Sequence, residues 1–60
     1  MKKREFYFEY DDKEDAWAVV QVDAGHEHGQ WYDAVMFYCA TGQDAIDAIE
    51  LLLDLQGGTK

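Results

Sequence analysis

The sequence predicts an α+β domain: a three-stranded antiparallel β-meander followed by one C-terminal α-helix packed on one sheet face, in the order βββα. Three observations predict it. Residues 5–40 carry three β-rich segments, the first in strict apolar and polar alternation. The connectors between them are short and rich in acids or glycine, so neighbouring segments pair as antiparallel hairpins. After Thr41 the apolar spacing changes from two to 3.6 residues, which is the helical period.

The first strand is Glu5-Phe6-Tyr7-Phe8-Glu9-Tyr10-Asp11, with Phe6, Phe8 and Tyr10 on one face. Asp11 to Asp15 forms a charged turn. The second strand runs from Ala16 to Asp23, and Ala18, Val20 and Val22 share a face. Ala24-Gly25-His26-Glu27-His28-Gly29 reads as a loop bracketed by glycines. The third strand runs from Gln30 to Ala40, with Val35, Phe37 and Cys39 on one face and Tyr32, Ala34, Met36 and Tyr38 on the other. Thr41 caps the helix, and Asp44 takes the capping-box position three residues on. Ala45, Ala48, Ile49, Leu52 and Leu53 make its apolar face, widened by Ile46 and Leu55. Asp47, Glu50 and Asp54 form the opposite stripe, and Gly57-Gly58 ends the helix.

One helix of about fifteen residues covers only one sheet face. If Phe6, Phe8, Val20, Val22, Val35 and Phe37 meet it, the other face displays Tyr7, Trp17, Val19, Met36 and Tyr38. An exposed aromatic patch of that kind is expected to be an interface. A 60-residue chain is one domain with marginal stability of its own, and its single cysteine, Cys39, allows no internal disulfide. A two-fold homodimer through the open face is one expected solution. Residues 1–4 read as a basic N-terminal tail, and 57–60 as a flexible C-terminal tail.

Charge narrows the class of partner. The chain carries 13 acids against 5 bases, a net of −8. Between Glu5 and Gln56 all the acids face one base, Lys13, which leaves that body at −12. Such a field repels phosphate backbones and anionic membranes and attracts basic protein surfaces. Direct nucleic-acid binding and membrane binding are therefore not expected. No apolar run is long enough to span a bilayer, and the basic start leads into an alternating strand instead of a signal-peptide core. With a lone thiol, this reads as a cytoplasmic protein.

Catalytic constellations are not expected. His26-Glu27-His28 could place two imidazoles on one side of an extended segment, with Asp23 or Glu27 as a third ligand. No second cluster completes a metal site, so a polar hairpin loop is the expectation, with no metal and no cofactor. Cys39 lies on the apolar face of its strand, where a free cysteine acts as a small hydrophobe. Gly57-Gly58 follows a helix where a phosphate loop would precede one.

The strand order and the stretch Cys39-Ala40-Thr41-Gly42-Gln43-Asp44-Ala45-Ile46-Asp47-Ala48-Ile49 resemble the N-terminal domain of HicB-type antitoxins. In size and acidity the chain is similar to phage-encoded anti-defence inhibitors, the anti-CRISPR and anti-restriction proteins, several of which imitate the charge of nucleic acid. That resemblance implies a non-enzymatic inhibitor occupying a basic, nucleic-acid-binding surface of a host defence protein, acting in the host cytoplasm. The expected contact residues are Asp44, Asp47, Glu50 and Asp54 on the helix, joined by Glu9, Asp11, Asp12, Glu14 and Asp15. The alternative expectation is an antitoxin-like or dimeric adaptor module that recognises its partner through the aromatic face.

Overall fold

The computed structural model describes residues 4–57, so residues 1–3 and 58–60 of the two expected tails lie outside the described residues. Three strands, β1 (Glu5–Asp11), β2 (Ala16–Glu27) and β3 (Gln30–Cys39), precede one helix, α1 (Gly42–Gly57). The sheet order is β1-β2-β3 with both pairings antiparallel, and the helix lies against all three strands. This is the expected βββα arrangement. Arg4 and Gly57 are not parts of free tails. The Arg4 N–H donates to Gln56 Oε1 at 2.7 Å, and Gln56 Nε2 donates back to the Arg4 carbonyl at 3.0 Å. The pair ties the last helical turn, which includes Gly57, to the start of β1.

Two turns set the meander. Asp11 Oδ1 accepts the amides of Lys13 and Glu14 at 3.0 and 3.3 Å, while Asp15 closes the loop at φ 54°. A short carboxylate side chain both bonds its neighbouring backbone and tolerates the left-handed region. The second turn is only His28-Gly29, with φ values of 54° and 79°. Two central residues at positive φ make the hairpin turn whose twist suits its strands. The expected six-residue loop is therefore mostly strand, since β2 continues to Glu27. Gly25 misleads because it marks a close approach: a Cβ there would overlap the ring of Tyr32, its cross-strand partner.

Register decides the faces, and it corrects the sequence reading. Phe8 pairs with Val19 and Tyr10 with Trp17, so β2 presents its odd-numbered residues alongside the β1 phenylalanines. Across β3, Val19 opposes Phe37, but Val20 opposes Val35. Met36 is the extra residue of a β-bulge, and alternation reverses there. One face therefore holds Phe6, Phe8, Tyr10, Trp17, Val19, Phe37 and Cys39. The other holds Tyr7, Glu9, Asp11, Ala18, Val20, Asp33, Val35 and Tyr38. The helix covers the first: Gly42 lies against the Trp17 indole, where a Cβ would meet the ring at 3.4 Å. Val19 and Ala45 are fully buried at that junction. Trp17 and Val19 are thus helix-face residues, not open-face residues as expected, while Val20, Val22 and Val35 move the other way.

The helix starts as its sequence dictates. Asp44 N–H donates to Thr41 Oγ1 at 3.1 Å, and the Ala45 amide bonds the Thr41 carbonyl at 3.2 Å. Ala45 is buried and Ala48, Ile49, Leu52 and Gln56 are half-buried, so this stripe seats on the sheet. Leu51, Leu53 and Leu55 remain exposed. The fully buried core is small, comprising Ala18, Val19, Val20 and Ala45. The molecule is two layers thick, with extents of 36 × 34 × 11 Å.

Candidate interaction surfaces

The open sheet face is organised by two tyrosines lying across the central strand in opposite directions. Tyr7 on β1 donates its hydroxyl to Asp33 Oδ2 on β3 at 3.2 Å. Tyr38 on β3 donates to Asp11 Oδ2 on β1 at 3.4 Å. Each ring crosses β2, which accounts for the burial of Ala18 and Val20 on a face the helix does not cover. Asp33 Oδ1 also accepts the Asp23 amide at 3.0 Å. That amide sits where the ladder breaks between Gln21 and Gly25, with Asp23 at φ 53°.

These contacts shift the phenols in one direction. Loss of solvent around Tyr7, then its bond to Asp33, raises its pKa above the usual 10.0. Tyr38 is raised by desolvation and by the charges of Asp11 and Glu14. Tyr10, on the helix face, is raised chiefly by its hydrogen bond to Asp15. Around the tyrosines the open face still exposes Val35, and Met36 is exposed at the bulge beside it. Of the expected aromatic interface, Tyr7 and Tyr38 stand together here, Met36 sits at the bulge on the exposed edge strand, and Trp17 and Val19 belong beneath the helix.

The acids divide between two sides. Asp47, Glu50 and Asp54 lie on the ridge of α1 turned away from its seated stripe. Asp44 is in the first turn of α1, whose Gly42 lies against Trp17, at the same end of the molecule as the turn bearing Asp12, Glu14 and Asp15. Glu9 and Asp11 point to the open face instead. The structure therefore gathers seven of the nine expected contact acids along one end and one ridge, and sets two apart. Several are already engaged: Asp11 holds the turn and Tyr38, Asp15 accepts from Tyr10, and Asp47 accepts from Gln43 Nε2 at 3.1 Å. Among the described residues Glu50 and Asp54 make no such bond, and α1 has no basic residue in its last turn.

The histidines are placed apart. His26 is on β2 with its ring 4.7 Å from that of Trp31, its cross-strand partner. His28 is in the turn, its Nε2 3.8 Å from Glu27. Among the described residues no group of three or more histidine, cysteine or acidic side chains is placed to hold a metal ion. No helix among them is long and apolar enough to cross a membrane.

Sequence reasoning missed Asp33, whose carboxylate joins all three strands. Its signal was present: it is the only charged residue between Gly29 and Gln43. It also missed the clustering of Phe8 and Tyr10 around Trp17, their rings 5.7 and 5.4 Å from its indole near the helix start. No protein-family model, curated protein or solved structure matches this chain.

Proposed function

We propose that this protein is a binding module, not an enzyme, and that it engages a basic surface on a partner protein that otherwise holds nucleic acid. The observation that carries this reading is the acidic ridge. Asp47, Glu50 and Asp54 project from a helix, with Asp44, Asp12 and Glu14 at its N-terminal end and no cation paired to any of them among the described residues. Carboxylates three and four residues apart on a helix stand about 5–6 Å from one another, near the phosphate spacing of a single strand. In this reading the protein is an inhibitor of the anti-defence kind, and the partner is a nucleic-acid-binding defence protein.

Neutralising the ridge tests it. Asp47→Asn, Glu50→Gln and Asp54→Asn together should leave the fold intact, because these side chains face solvent. Affinity for a basic nucleic-acid-binding partner should fall, mainly through slower association, and wild-type binding should weaken steeply with salt. The partner's own nucleic acid should compete. A second reading is favoured by the exposure of Tyr7, Val35, Met36 and Tyr38: an adaptor that recognises its partner through the open sheet face. Unchanged binding by the triple variant, with loss on Tyr38→Ala, would select that reading.

A further inference from the structure

We propose that the outer edge of β3 is a self-association site, where a second copy of the chain adds its own β3 antiparallel to make one six-stranded sheet. The sheet has two edges and they are built differently. The β1 edge carries Glu5, Glu9 and Asp11, charges of the sort that discourage strand addition. The β3 edge is ten residues long, and Asp33 is its only charged residue. Gly29 to Gln43 is fifteen residues with that single charge, in a chain 30% charged, where about four or five would be average. Asp33 is itself occupied by the Tyr7 hydroxyl and the Asp23 amide.

The residues of β3 are those of a strand covered on both sides. Trp31, Tyr32, Val35, Met36, Phe37 and Tyr38 are apolar or aromatic on either face, yet all are exposed, from 38% at Phe37 to 64% at Trp31. The central strand, with similar composition, buries Val19 and Val20 almost completely. A near-continuous apolar run at an edge position is a central strand that lacks one neighbour. Charge selects the geometry. Face-to-face stacking of open faces would press Glu5, Glu9, Asp11 and Asp33 against the same four residues of the other copy. Edge pairing keeps those carboxylates side by side in water and joins the one nearly uncharged surface of an acidic chain.

Sedimentation equilibrium of the full chain at micromolar concentration should give a species of twice 6.9 kDa. Met36→Glu should dissociate it by at least tenfold in affinity. Met36 has no partner on β2, so the variant should keep the wild-type circular dichroism. Leu55→Glu, on the exposed helix flank, should leave the dimer unchanged. In a Cys39→Ser background, spin labels at Gln30→Cys should lie roughly 30 Å apart, nine residue steps of antiparallel strand. A monomer, a dimer indifferent to Met36→Glu, or a label separation of about half that value or less would each overturn the proposal.

Discussion

The Tyr38 hydroxyl reaches Asp11 across the full width of the sheet, from β3 over Ala18 to β1. Tyr7 makes the reverse crossing to Asp33. The two side chains work as struts on the face the helix leaves bare. They shield the central strand without turning that face into a conventional core.

These struts make the fold sensitive to alkali. Tyr7, Tyr10 and Tyr38 are held above the ordinary phenol pKa of 10.0 because a phenolate would lose solvent and face a carboxylate. A raised folded pKa means that the contribution is complete below pH 10 and is lost as pH climbs through the folded values. Stability should therefore decline above pH 10, and ultraviolet titration should show these phenols ionising late. Asp11→Asn should bring Tyr38 down toward the ordinary value.

Val19 is the most consequential side chain to shorten. It is fully buried between the sheet and the helix, so Val19→Ala should cost about 2–3 kcal/mol by urea unfolding. For a domain this small that is a large share of the total. Leu55→Ala, at a position 75% exposed, should stay within about 0.5 kcal/mol of wild type.

Removing the helix cap should have an intermediate effect. Thr41→Ala deletes the oxygen that accepts the Asp44 amide and should cost about 1 kcal/mol. In a domain of this size the melting temperature should fall by roughly 4–8 °C. Thr41→Ser should retain most of the stability.

The packing of Tyr32 on Gly25 has a spectroscopic consequence. An aromatic ring held over a glycine shields its α-protons, so the Gly25 signals should appear upfield and return to ordinary positions in Tyr32→Ala. Gly25→Ala should displace the exposed Tyr32 ring before it disrupts the sheet, because the obstructing atoms are at the far end of that side chain.

Much of this architecture was legible in the chain. Alternation around Phe6, Phe8 and Tyr10 marked β1, and Thr41 with Asp44 marked the helix start to the residue. The acid stripe of α1 followed from its period. What the sequence concealed was register. Gly25 resembled a loop residue because its role depends on Tyr32, seven positions away. The pairing of Phe8 with Val19 instead of a neighbour is a long-range choice that no local spacing encodes. Local alternation therefore predicts the open face for Trp17 and Val19, which the register places beneath the helix. The acidic surface was legible as composition, but its division between a helix ridge and the open face required the fold.

Met36 acts as a phase change in the strand's two-residue rhythm. Everything on β3 before it is read in the opposite frame from everything after it, so its count matters more than its chemistry. Excising that one residue would rejoin the two halves in a single frame. Val35 and Asp33 would stay on the open face and Ala34 on the helix face, because Val35 opposite Val20 would then follow Phe37 opposite Val19 in an unbroken ladder. Substitution at Met36 alters a side chain, whereas a one-residue deletion there would remove the bend and keep every other residue of β3 on its present face.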